Sequence, residues 1–297
     1  MEPQNILSDK YIGDSSDAEL VSLSVKGDKN ALEKLIKKHQ DYIYNIALRM
    51  VFNPDEAKDV TQEVLIKIIT KLAGFEGRSS FRTWAYRIVV NHVLNMKKSM
   101  GELNHTDSFK KYGEIIDSCP DSDFPDNTSY SVDSRILVEE VKISCMFGML
   151  LCLDREQRLV YTLGGLMGIS DAVGSEIMEI SKDNFRQRLS RARKDRHSFM
   201  NNKCGLVNKA NPCRCSKKTK ALIEVGYVNP NNLKFTRSFY FKMDKISEIR
   251  TQELSDVLDN ECSEVFRTHP YEKSPDFVIS LRKLLESDKF LNIFNIN

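Results

Sequence analysis

The sequence predicts a mainly α protein, with two helical domains (a bundle and a helix-turn-helix), an acidic linker between them and a small C-terminal extension. Three observations carry that prediction. Apolar residues such as Val64, Ile68 and Leu72 recur at helical spacing within residues 17–98, the pattern of a helix with one buried stripe. Ile177, Ile180, Phe185, Leu189 and Ala192 have the spacing of two helices crossing at a tight turn. Residues 101–135 lie between these regions, rich in Asp, Ser, Asn and Pro and without a sustained period.

Taken in order, Asp17 is placed to cap a helix carrying Leu20, Leu23 and Ser24. Asp28 is placed to cap a longer one through Leu32, Leu35, Ile36, Tyr42, Ile43 and Ile46. Asn53-Pro54 then breaks the chain and starts a third helix, because proline suits the first helical turn. A fourth follows, and four such helices bury a common core as a bundle over residues 1–100. Residues 101–135 read as a flexible linker and 136–200 as the helix-turn-helix domain. Residues 201–220 form a basic loop containing cysteines. Residues 221–297 form the extension, with a β-hairpin expected over 221–241 from β-branched and aromatic residues around Pro230-Asn231-Asn232. Helix resumes over 242–297, interrupted at His269-Pro270.

With 297 residues, 41% of them apolar, the chain is long enough for two or three packed domains. A formal charge of +2 hides segregation along it. Residues 101–135 hold eight acidic and three basic side chains, whereas 182–196 hold seven basic and two acidic. Blocks of alternating sign suit segments that meet different partners, although each alone is also what a solvated surface looks like. The amino-terminal residues show no charged-then-apolar targeting pattern, and the longest apolar run, Cys145 to Leu153, is too short to span a bilayer. Seven unevenly spread cysteines do not form a secreted disulfide framework, so a cytoplasmic setting is expected. No nucleophile–base pair, phosphate-cradling loop or acidic metal cluster argues for an enzyme.

Residues 59–98 have two contrasting faces. Asp59, Gln62 and Glu63 stand at i, i+3 and i+4 and project from one side of their helix. On the next helix Trp84, Arg87, Asn91, Asn95 and Lys98 form a polar stripe headed by an aromatic, backed by Phe81, Ala85, Ile88 and Val89. An acidic docking face beside an aromatic and basic strip suggests a cationic protein partner and a nucleic acid strand. This segment resembles the second conserved region of bacterial RNA polymerase sigma factors of the extracytoplasmic-function group. The resemblance rests on Asp59-x-x-Gln62-Glu63, then Phe75 and Gly77, then Phe81-Arg82-Thr83-Trp84 with Arg87-Ile88 and Asn91. It implies that Asp59, Gln62 and Glu63 dock on core RNA polymerase. It also implies that Phe75, Arg78, Ser79, Ser80, Arg82, Trp84, Arg87, Asn91, Asn95 and Lys98 serve promoter DNA in duplex and melted form. Base stacking on an aromatic is worth roughly 1–3 kcal/mol per base. Two readings of Trp84 stay open, a wedge for bases or a member of the core.

In the helix-turn-helix segment Ser181 is placed to cap a helix whose Lys182, Asn184, Arg186, Gln187, Arg188 and Arg191 face largely outward. Arg and Asn near a helix N-terminus suit base edges in a major groove, and later arginines suit phosphates. An ordinary basic surface helix is the competing reading. Glu156-Gln157-Arg158, Gly168-Ile169-Ser170, Glu176-Ile177, Ile180-Ser181 and Arg188-Leu189-Ser190-Arg191-Ala192-Arg193 are similar to the fourth conserved region of the same family. There are departures: Ala172-Val173-Gly174 replaces acidic residues and an apolar one, and Glu179 stands where glycine is usual. Gly164, Gly165 and Gly174 each cost a helix roughly 1 kcal/mol relative to alanine.

Together these likenesses imply a non-enzymatic initiation subunit that needs no cofactor, with an anti-sigma factor as a further possible partner. A stand-alone helix-turn-helix regulator is the alternative; such a protein has no need of the acidic face. The acidic linker resembles the family segment that threads the polymerase channel, or is a solvated tether. Cys204, Cys213 and Cys215 have a C-x8-C-x-C spacing that could hold zinc with His197, Cys262 or His269, form a redox pair, or be plain thiols. The extension is expected to regulate the chain or to buttress the second domain.

Overall fold

The computed structural model describes residues 15–124, 130, 132–235 and 274–285. Among the described residues the structure is helical, with an isolated β-bridge between Cys204 and Cys213. Four helices open the chain: α1 (Ser15–Val25), α2 (Lys29–Val51), α3 (Pro54–Lys71) and α4 (Phe81–Asn95). Asp28 caps α2 by accepting from the amides of Asn30 and Ala31, and Asn53 caps α3 the same way through Asp55 and Glu56. Asp17 departs from its expected capping role. It lies inside α1, where its carboxylate meets His39 at 3.1 Å and Lys38 at 2.7 Å.

Residues 42–51 of α2 are buried on every side, the condition of a helix surrounded by others. Its polar members turn inward on the helix itself: Arg49 donates to the carbonyl and side-chain oxygens of Asn45. Val64, Leu65 and Ile68 of α3 and Ala85, Tyr86, Val89 and Val93 of α4 complete this core.

The segment expected to be a flexible linker contains two helices, α5 (Met100–Leu103) and α6 (Phe109–Ser118). Local composition hid them because their anchors lie far away in sequence. Tyr112 of α6 stacks on Phe199 at 5.7 Å and donates to the Cys145 carbonyl. The second half comprises α7 (Ser134–Leu151), α8 (Arg155–Val160), a π-helical turn (Tyr161–Leu166), α9 (Asp171–Met178) and α10 (Lys182–Lys203). One contiguous apolar core joins both halves. Phe52 holds a left-handed backbone with φ 60° at the end of α2, and its ring lies against the stacked pair of Phe147 (5.7 Å) and Phe235 (5.8 Å).

The hairpin expected over 221–241 does not form in its described part. Helix α11 (Cys215–Glu224) runs through its start. Val228 then packs on Leu137 and Val141 of α7, and the Lys234 and Phe235 amides donate to the buried Glu140 carboxylate. The β-branched and aromatic residues that suggested strands serve this packing instead. A further helix, α12 (Phe277–Leu285), lies against α2 and also touches α3.

Candidate nucleic-acid interface

Helix α3 begins with Pro54 and carries Asp55 and Glu56 in its first turn, where negative charge favours the helix dipole. With Val64, Leu65 and Ile68 committed to the core, Asp59 and Glu63 stand exposed and Gln62 half-buried. Glu63 lies 3.6 Å from His92 of α4, and Lys67 reaches the other ring nitrogen at 2.6 Å. Burial and the Lys67 charge hold the His92 pKa below its ordinary value, against the opposing pull of Glu63. The acidic face is therefore braced against α4.

Ser80 caps α4 by accepting from the Thr83 amide, so its hydroxyl is engaged in the helix start. Ser79 donates to the Ser80 carbonyl, and Arg78 is exposed and paired with Glu76. Phe75, Phe81 and Trp84 form one ring cluster, with Trp84 5.4 Å from Phe75 and 5.7 Å from Phe81. Phe81 is buried, whereas Trp84 is half-buried with its ring at the edge of the core.

Arg82 departs from its expected place on the nucleic-acid side. It is 6% exposed, with its guanidinium 4.8 Å from the Tyr42 ring centroid and its Nε donating to the Tyr86 hydroxyl. Cation–π packing inside the bundle keeps it from the surface. Arg87 is occupied as well. It donates to the Glu176 carbonyl at 3.1 Å and carboxylate at 3.0 Å, and lies 3.9 Å from Glu179. Asn91, Asn95 and Lys98 remain exposed, with the Asn95 amide donating to the Asn91 carbonyl.

In the second half Ser170 caps α9 and Ser181 caps α10, each accepting from the amide three residues on. Gly174 has a packing reason: a Cβ there would meet the Phe185 ring at 2.4 Å. The two helices can cross closely only because this position lacks a side chain. Glu179 adopts φ 54° at the turn, the left-handed conformation for which glycine is better suited. Lys182, Arg186, Gln187 and Arg191 are exposed on α10. Arg186 pairs with Asp171, whose pKa falls mainly through that hydrogen bond. Arg188 pairs with Glu156 and donates to the half-buried Asn184 at 2.8 Å.

Comparison with known proteins bears on this arrangement. The Sigma-70 region 2 family model matches residues 35–101, which contain both α3 and α4. An RNA polymerase sigma-H factor of Pseudomonas aeruginosa is 42% identical over 79 residues, covering 27% of this chain and 41% of that protein. An ECF RNA polymerase sigma-E factor of Haemophilus influenzae is 30% identical over 182 residues, covering 60% of this chain and 92% of that protein. This chain belongs to the extracytoplasmic-function (ECF) sigma factor family. The sigma-E factor of Escherichia coli K12 is 29% identical over 186 residues, covering 60% of this sigma factor and 91% of its own length. A solved structure of CnrH with the cytosolic domain of CnrY aligns with a TM-score of 0.44 and 18% identity, over 63% of this chain and 97% of that one.

The sigma factor also has a buried polar junction that local sequence reasoning missed. Arg158 donates to the carbonyls of Met50, Leu150 and Leu153 and to Glu102. Arg155 donates to Glu102 and to the carbonyls of Met96 and Lys97 at the end of α4. Burial pushes the Glu102 carboxyl up, but the Arg155 hydrogen bond, the Ser99 amide and the Arg158 charge outweigh it and bring its pKa down to about 2. One local signal was available, since Ser99-Met100-Gly101-Glu102 is a capping box, and both of its bonds are present. The zinc reading of Cys204, Cys213 and Cys215 finds no support. Among the described residues no three of His, Cys, Asp or Glu are grouped to hold an ion. Burial pushes all three thiols up, and Cys262 and His269 lie outside the described residues. No helix among the described residues is long and apolar enough to cross a membrane.

Proposed function

We propose that this chain binds core RNA polymerase and directs it to promoters as an initiation subunit with no catalytic site of its own, acting in the cytoplasm. The observation that carries this reading is the exposed Asp59–Glu63 face on α3, beside an aromatic and polar stripe on α4, within the Sigma-70 region 2 match. Asp59, Gln62 and Glu63 dock on a basic surface of the polymerase. Trp84 presents its half-exposed ring to an unstacked base, with Phe75 beneath it. Arg78, Arg87, Asn91, Asn95 and Lys98 hold the strand backbone, assisted by the Ser79–Ser80 loop. Lys182, Arg186, Gln187 and Arg191 on α10, with Asn184 and Arg188 beside them, meet duplex DNA. Arg82 has no part in this set, because the bundle needs it. An anti-sigma protein is the partner class that the family brings for control.

DNA contact through Arg87 requires the α4–α9 contact to part, since Glu176 and DNA compete for one guanidinium. The decisive experiment adds the purified chain to sigma-free core polymerase and assays association and promoter-dependent transcription. Stable association with start-site-specific transcripts is the expected result. DNA binding without polymerase association would overturn it in favour of a stand-alone helix-turn-helix regulator.

A further inference from the structure

Helix α12 comes from the far end of the chain and lies on α2, more than two hundred residues away in sequence. Phe277, Val278 and Leu281 are buried at 4%, 3% and 1% exposure, while Ile279 is 60% exposed. This is an amphipathic helix with its apolar face in a groove. The Phe277 ring lies 6.5 Å from Tyr44, and polar contacts set the register along α2. Ser274 donates through its amide (3.1 Å) and its hydroxyl to Asp41, the Phe277 amide donates to Gln40 at 3.3 Å, and Arg282 donates to Glu33 at 2.9 Å. Asp276 accepts from the Val278 amide and starts the helix locally.

Phe277, Val278 and Leu281 belong to the contiguous core, and two features bear on how α12 holds its seat. The nine described residues of α12 are fewer than an isolated helix needs in water, so packing in the groove supports its helicity. The seam is also underfilled: a cleft of about 70 Å³ remains between Leu32 and Ile36 on α2 and Val278, Leu281 and Arg282 on α12. The cleft is partly open to solvent beside the exposed Lys29 and Arg282. Along the same edge Lys29 and Glu33 present charges that a helix can pair with.

We propose that this flank of α2 is a helix-docking site of the helix-in-groove kind, and that α12 is its resident and releasable occupant. The site takes an amphipathic helix with apolar side chains at the positions of Phe277, Val278 and Leu281 and a cation at that of Arg282. A side chain longer than valine at position 278 fills the cleft and is held more tightly. The polar bonds of α12 described above go to Glu33, Gln40 and Asp41, and Asp59 and Glu63 stay exposed, so the occupant leaves the acidic face of α3 uncovered. This inference stands apart from the polymerase and promoter assignments.

The test uses the full chain and a fluorescent synthetic peptide spanning residues 272–287. In the wild type the site is filled and the peptide does not bind. Leu281→Asp ejects α12, so amides of α2 between residues 29 and 44 exchange about tenfold faster and the peptide binds in trans, restoring protection. Val278→Leu has the opposite effect, slowing that exchange below wild type without any partner. Two results would overturn the proposal: equal α2 protection in wild type and Leu281→Asp, or peptide binding that is the same in both. Should Leu281→Asp lose its helical circular dichroism, Leu281→Ala and Val278→Leu still bracket the wild type. Failure of those two to move exchange in opposite directions sinks the idea as well.

Discussion

The acidic face of α3 and the polar stripe of α4 are consecutive in sequence and lie in one family match, yet their surroundings differ. Asp59 and Glu63 face outward, braced only from the side by His92. The α4 stripe is partly covered, because Arg87 is held by Glu176 in the last turn of α9. One face is open as folded; on the other Asn91, Asn95 and Lys98 are open as well, and Arg87 is freed only when its contact with α9 parts. The two halves are also joined where Arg155 and Arg158 of α8 grip Glu102 and the carbonyls ending α2 and α4.

The largest way to break this contrast is Arg158→Ala. Arg158 is 3% exposed, and its loss leaves Glu102 and three carbonyls short of a donor inside the fold. Removing one partner of a buried pair costs about 3–5 kcal/mol, which urea denaturation reads directly. A loss under about 1 kcal/mol would show that the junction does not hold the halves together.

Acid acts on the same place. The folded Glu102 pKa is depressed to about 2 from an ordinary 4.5, so its stabilisation is fully present above pH 4.5. It disappears as pH falls through that window toward 2, a loss of about 3 kcal/mol. Glu102→Gln should flatten this part of the stability–pH curve in denaturation titrations. An unchanged curve in the variant would place the acid sensitivity elsewhere.

The open face predicts a binding effect without a stability effect. Asp59→Ala with Glu63→Ala should weaken association with core polymerase about tenfold or more, equivalent to about 1.4 kcal/mol, while unfolding changes little because both side chains are exposed. Fluorescence anisotropy of labelled protein against core enzyme measures this, and unaltered affinity would remove the docking assignment.

The covered face sharpens the comparison with the smallest effect. Glu176→Gln removes one charge from the contact on Arg87, worth about 0–1 kcal/mol for a partly exposed pair. It should raise binding of single-stranded promoter DNA a few-fold, whereas Arg87→Ala lowers it and reduces the salt slope by about 1. Changes in the same direction for both variants would mean that the contact does not regulate access to Arg87.

Legibility followed the range of the interactions. The caps Asp28 and Ser181 were readable because each acts on amides two or three residues away. The stripe of Val64 and Ile68 was readable because helical period alone identifies it. Gly174 looked like a weakness, but its reason is Phe185 on the next helix, eleven residues on. Arg82 looked like a DNA contact because a basic residue beside a tryptophan carries no sign of Tyr42, forty residues earlier. The helix α6 and the failed hairpin were misjudged for the same cause, since Phe199 and Glu140 anchor them from afar.

By itself the sequence determined the helical class, the first four helices, the caps Asp28 and Ser181 and the family to which the chain belongs. Those properties depend on residue period and on hydrogen bonds between near neighbours, which any short window contains. The tertiary structure alone decided that Arg82 is interior, that Arg87 is engaged by Glu176, that Glu102 joins two arginines and that α12 seats on α2. Each of these depends on a partner brought close by packing, and burial then decides whether a charge is a surface contact or a structural bond.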